Sequence, residues 1–171
     1  MSAPRNLLNF ALVGGLIAVL SSQPVSAMQG GGADNCANAQ PISGPGLFSF
    51  DNANASTGSE GQNEYLCYQF GSSAVDSDVW FQWTSDCTDL GNITTCGLTS
   101  VDTMIAAYPG SSCPPSGATT ALGCNDDFCS LQSEISFSVV SGNTYMIQIG
   151  TFPGASGGSA AANGFMVSAS G

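Results

Sequence analysis

Apart from Arg5, the 171-residue chain has no basic side chain: lysine and histidine are absent, and Arg5 is its single arginine. Twelve Asp and Glu residues stand against it, for a formal net charge of −11. This absence excludes whole classes of chemistry. Serine triads, Ser–Lys dyads and P-loops all need His or Lys. Nucleic acid binding needs Lys or Arg to displace counterions, so a polyanion is repelled, and anionic membrane surfaces are excluded by the same argument. No C-x-x-C pair occurs either, and without histidine a zinc site lacks its usual signature. A reactive thiol has no neighbouring cation to lower its pKa. Clustered acids are left with water, backbone N–H groups and metal ions as partners.

Residues 1–27 have the layout of a secretory signal. Arg5 supplies the positive start, Leu7 to Leu20 an apolar stretch, and Val25-Ser26-Ala27 a small-residue cleavage site. Asn9, Gly14 and Gly15 interrupt the run, which is short for a membrane span. No later segment is apolar enough to anchor the protein, so it is expected to be exported, without membrane insertion. Residues 28–35 are Gly-rich and expected to be loose. Residues 36–171 are the length of one domain, able to bury roughly 68–70% of its unfolded surface. The seven cysteines fit an oxidising compartment.

The remainder alternates short β-type runs with Gly, Pro, Asn, Asp and Ser punctuation, which predicts an all-β fold. Candidate strands lie near 46–52, 64–70, 78–85, 92–97, 101–108, 118–123, 133–140, 143–150 and 163–170. In several of them one face is apolar: Ile135, Phe137 and Val139; Tyr145, Ile147 and Ile149; Phe165, Val167 and Ala169. Such strands fit an antiparallel β-sandwich, jelly-roll-like, with about eight to nine strands and disulfide staples. In Asp78-Val79-Trp80-Phe81-Gln82-Trp83-Thr84, Val79, Phe81 and Trp83 make the apolar face while Trp80 lies among polar residues. Trp80 is therefore either a stacking platform for a sugar or partner, or is covered by a loop or the N-terminal segment. The covered reading is preferred, since aromatics near a sheet are usually packed.

An odd number of cysteines leaves one without an intrachain partner. If strands 92–97, 101–108 and 118–123 form a meander, their ends bring Cys87 towards Cys113 and Cys96 towards Cys124 or Cys129. Cys36 and Cys67 remain as a third pair. Each bridge stabilises by roughly 2–4 kcal/mol.

Three segments concentrate acids: Asp76-Ser77-Asp78, Asp102, and Asn125-Asp126-Asp127. In the meander, Asp102 begins one strand and Asn125 to Asp127 follow its antiparallel neighbour, so they meet at one end of the sandwich. Hard oxygens without a counter-charge are what Ca²⁺ prefers, and repelling carboxylates raise one another's pKa unless something neutralises them. The alternative is plain turn chemistry, since Asp and Asn side chains bond nearby backbone N–H groups. The spacing is not that of an EF-hand. A glycosidase needs two carboxyls about 5–9.5 Å apart across a cleft, and although Glu60, Glu64 and Glu134 are available, nothing marks a pair. An aspartic protease signature is missing.

The run Val101-Asp102-Thr103-Met104-Ile105-Ala106-Ala107-Tyr108-Pro109-Gly110 resembles a strand of bacterial pre-peptidase C-terminal (PPC-type) domains. So do Leu122-Gly123-Cys124-Asn125-Asp126-Asp127, Gln132 to Phe137, and Gly142 to Gly150, an order that covers about residues 76–170. Asp34-Asn35-Cys36-Ala37-Asn38-Ala39 and Asp78-Val79-Trp80-Phe81 resemble cysteine-rich secreted variants of the same group. The resemblance implies a non-catalytic β-sandwich accessory domain; some relatives bind matrix polymers and some bind calcium. With no catalytic domain preceding it, the module is expected to be a binder, a surface component or a piece of a complex. The first expectation is a secreted, non-enzymatic module that binds an extracellular protein or polysaccharide and is stabilised by Ca²⁺ at Asp76, Asp78, Asp102, Asn125, Asp126 and Asp127. The second is a carbohydrate-binding module using Trp80, Tyr108 or Phe152, and the third a small carboxylate-dependent hydrolase.

Overall fold

The computed structural model describes residues 30–170; the expected signal segment, 1–27, lies outside them. Nine strands are present among the described residues: β1 (Gln40–Ser43), β2 (Gly46–Ser49), β3 (Asp76–Thr84), β4 (Asp89–Thr94), β5 (Thr103–Pro109), β6 (Gly123–Asp126), β7 (Glu134–Val139), β8 (Thr144–Thr151) and β9 (Gly164–Ser170). They form a five-stranded sheet, β1-β3-β8-β5-β6, and a four-stranded sheet, β2-β9-β4-β7. Within these sheets β1 runs parallel to β3 and the other neighbours are antiparallel. The architecture is a β-sandwich.

Alternation places Val79, Phe81 and Trp83 of β3 between the sheets, with Ile105, Ala107, Tyr145, Ile147 and Ile149 from the same sheet and Ile93, Ile135, Phe137, Val139, Phe165 and Val167 from the other. The five-stranded sheet is apolar on its outer side as well. Trp80, Met104, Ala106, Tyr108 and Met146 form a second buried cluster there with Val75, Cys36 and Cys67. This explains the unbroken burial from Thr103 to Tyr108, which a one-sided strand does not show.

Loops cover that outer cluster. Those loops carry Cys36, Cys67 and Cys113. Residues 30–35, expected to be loose, instead form a strap along the edge of β3 on which β1 also pairs. Ala33 exchanges two backbone bonds with Trp80 (3.2 and 2.8 Å), and Gly31 O accepts from Asp51 N at 2.8 Å. Gly32 sits at φ +84°, where a Cβ would come within 2.9 Å of Val79 and Phe81 side chains, so only glycine lets the strap lie this close. Tyr65–Cys67 is a short 3-10 helix rather than part of a strand over 64–70. Glu64 explains the difference: its carboxylate accepts from Leu66 N, Thr120 N and Ala121 N, curling the chain onto the neighbouring loop. In the expected strand 118–123 only Gly123 is paired; β6 extends from there to Asp126.

Disulfides hold the cover down. Cys36 pairs with Cys113, Cys67 with Cys124 and Cys96 with Cys129, with Cα–Cα separations of 5.8, 5.1 and 5.9 Å. This corrects the pairings Cys87–Cys113, Cys36–Cys67 and Cys96–Cys124; of the two partners expected for Cys96, Cys129 is the one bonded. The meander premise fails because β4 and β5 belong to different sheets, so Cys87 and Cys113 are not brought together. Cys87 is a free thiol near Ser85. Cys36 and Cys67 both lie in covering segments, and each is tied to a residue after β5 or within β6. Cys124 shares the outer face of β6 with Cys67, which leaves Cys129, beyond the end of β6, for Cys96.

Candidate metal centre

The end of the five-stranded sheet where β5 begins and β6 stops is built from both sheets. Thr103, fully buried, is fixed by a 2.7 Å bond between its Oγ1 and Thr95 Oγ1 and by donation of its N–H to Leu131 O at 2.8 Å. Ser133 N donates to both threonine hydroxyls and Ser133 Oγ to Thr103 O. This knot links the end of β4, the start of β5 and the start of β7, and so sets the position of Asp102. On β6, Asp126 opposes Met104, which puts its side chain on the outer face. Asp127 follows at φ +64°, a left-handed conformation that Asp tolerates better than most residues. Two residues on, the Cys96–Cys129 bridge ties this turn back to β4.

Carboxylate oxygens of Asp102, Asp126 and Asp127 lie within 4.8 Å of one another. Asp126 is 4% exposed, Asp102 half-buried and Asp127 exposed. Asp102 Oδ1 and Asp126 Oδ1 are buried and receive no hydrogen bond from the protein. Burial, then Asp127, then Asp102, pushes the Asp126 carboxyl up to about 6. Burial and then Asp127 raise Asp102. These are the responses of desolvated like charges without a counter-ion, and the chain's one basic residue, Arg5, is outside the described residues. A cation with bonds of roughly 2.4 Å touches oxygens up to about 4.8 Å apart, so the spacing and the all-oxygen donor set admit calcium. The usual zinc sites include Cys or His ligands, which this group lacks.

The other three acidic-segment residues are not part of this group. Asn125 faces the opposite way and accepts from Glu134 N at 3.4 Å. Asp76 and Asp78 lie on β3, separated from β5 by β8, roughly 10 Å at the usual strand spacing. Asp76 sits at an irregularity in the β3–β8 register. Asp78, fully buried, accepts from Gly58 N (3.2 Å) and Gln148 Nε2 (2.9 Å).

Trp80 and Tyr108, named as sugar platforms, are each 1% exposed and lie 6.1 Å apart, ring to ring, in the outer cluster. They have no free face, because the disulfide-tied segments that carry Cys36, Cys67 and Cys113 pack on them. Phe152 is partly exposed and meets Phe70 edge-on. Gln69, which sequence reasoning passed over, accepts from Asp126 N at 3.2 Å through its side chain. A strand assignment for 64–70 hid it, although Gly71 and the serines after it mark a turn there.

No family model, curated protein or solved structure matches the chain. The likeness to PPC-type domains rests on the motif residues alone.

Proposed function

We propose that this protein is an exported, non-catalytic β-sandwich module that binds an extracellular protein or polysaccharide, and that calcium at Asp102, Asp126 and Asp127 stabilises it. The observation that carries the reading is the pair of buried oxygens, Asp102 Oδ1 and Asp126 Oδ1, left without protein partners beside a third carboxylate. A buried charge is retained when paired or when it coordinates a metal, and among the described residues there is no basic side chain to pair with. Three disulfides favour an oxidising compartment. No helix among the described residues is long and apolar enough to cross a membrane.

Three other acids support a non-catalytic role because the fold uses their carboxylates as acceptors. Glu64 caps two loops and Asp78 is locked to Gln148. Asp34 accepts from Ser56 N and Oγ. The surface pocket that Asp34 and Asp51 line has a volume of about 230 Å³, below the roughly 300–1,000 Å³ of usual ligand clefts.

Calorimetry in calcium and in EDTA tests the metal. At a free concentration about 100 times Kd, binding adds about 2.7 kcal/mol, a rise in Tm of about 5–10 °C for a domain of this size. Identical melting curves would remove the calcium reading. Turnover of a glycan or peptide substrate that disappears in Asp126→Asn would replace the binding role with a hydrolytic one.

A further inference from the structure

Two phenylalanines flank the acidic centre without being needed by either core. Thr103 opposes Thr151 in the β5–β8 register, so one residue further Asp102 opposes Phe152, and Phe152 N donates to Asp102 O at 3.3 Å. Opposed residues on antiparallel strands share a face, with Cβ atoms about 5 Å apart. The Phe152 side chain therefore leaves the sheet beside Asp102, on the side away from β6. Phe70 arrives from the covering loop, next to the Gln69 side chain that holds Asp126 N. Its ring meets that of Phe152 edge-on, 6.4 Å between centroids at 80°.

Phe70 is held at φ +47° and is 72% exposed. A bulky residue in the left-handed region is strained, and a ring left mostly in water gains little burial to offset that. Strain kept without a packing reason points to use at a surface.

The metal narrows the ligand. Three carboxylates around a divalent ion leave one negative charge in excess, on a chain already strongly acidic, so an anionic ligand is disfavoured. Calcium takes six to eight oxygens, and carboxylates that each give one leave positions for neutral oxygens. Adjacent hydroxyls of a sugar ring supply two such oxygens, and the apolar face of the same ring packs on an aromatic edge or face. We infer that Asp102, Asp126 and Asp127, with Phe70 and Phe152 beside them, form a calcium-dependent site for a neutral polysaccharide whose adjacent hydroxyls ligate the ion. The inference rests on the calcium reading above and gives its ligand class.

Affinity electrophoresis against soluble mannan, galactan, xylan and β-glucan, in calcium and in EDTA, tests it. At least one glycan retards the protein in calcium and releases it in EDTA. Phe70→Ala weakens that binding about tenfold or more, as loss of an aromatic anchor does, while the calcium-induced rise in Tm stays, because Phe70 is on the surface. A Tm rise with no retardation by any of the four glycans overturns this inference and leaves the calcium reading standing. Absence of the Tm rise removes both. Retardation that ignores EDTA or Phe70→Ala, or calcium-dependent retention on gelatin in place of the glycans, also overturns it.

Discussion

Asp126 and Asp78 are both buried acids whose carboxyls burial raises, and they differ in whether the protein supplies donors. Asp126 Oδ1 has no donor, so Asp126→Asn relieves a desolvated charge. In EDTA the variant is expected to melt above the parent, by about 1 kcal/mol or more, and to lose the calcium-induced Tm rise; urea titrations with and without calcium check both halves. Asp78 has donors, yet burial outweighs the bonds from Gln148 and Gly58 and raises its pKa. The unfolded value is about 3.9, so between it and the raised folded value the folded chain holds more protons than the unfolded one. The contribution of Asp78 to stability is therefore greatest below about pH 3.9 and falls as pH rises through the folded pKa. Asp78→Asn is expected to flatten that part of the pH profile, measured by urea unfolding between about pH 4 and 7. The fold tolerates the amide: if Gln148 turns its own amide over, it accepts from the new group while Tyr108 donates to Gly61 O, an oxygen it already reaches at 3.2 Å. Sequence placed Asp102 with Asp126 and Asp127 correctly, because a strand start and the end of its antiparallel neighbour must meet. It placed Asp76 and Asp78 with them wrongly, because only the strand order reveals β8 in between.

The turn between β6 and β7 is the element on which the metal centre depends. Asp127 is two residues from Cys129, whose bridge to Cys96 closes a sequence separation of 33. Replacing both cysteines by serine is expected to cost roughly 2–4 kcal/mol and to weaken calcium binding as well, since the turn then pays for its own ordering. Isothermal titration of calcium into the double variant below its melting point separates the two effects. Elements with a clean period of two, β7 through β9, were readable from alternation alone. β1 was not, because Pro41 reads as a breaker. It is tolerated because β1 is an edge strand, with only β3 as its neighbour. Residues 64–70 misled for a different reason. Their aromatics have strand-like composition, but Tyr65, Tyr68 and Phe70 are exposed at 78, 64 and 72% while Glu64 and Cys67 point inward.

Across the whole molecule the sandwich was legible and the second apolar layer was not. Trp80 among polar neighbours was the visible sign of it, and its covering by a loop or the N-terminal segment was the preferred reading; which segments do so depends on a disulfide map that spacing alone does not fix. That map predicts a simple result: alkylation of the non-reduced protein modifies Cys87 alone, and peptide mapping recovers Cys36–Cys113, Cys67–Cys124 and Cys96–Cys129. Modification of Cys113 instead would contradict it. The order β3-β8-β5 bears on how the chain comes to be folded. Ribosomes make β3, β5 and the covering loops long before β8, the strand that joins the two. Pairings so distant along the chain are slow to form. A nascent chain halted before Thr144 has β3 and β5 with no strand between them, so the sheet beneath the covering loops closes late.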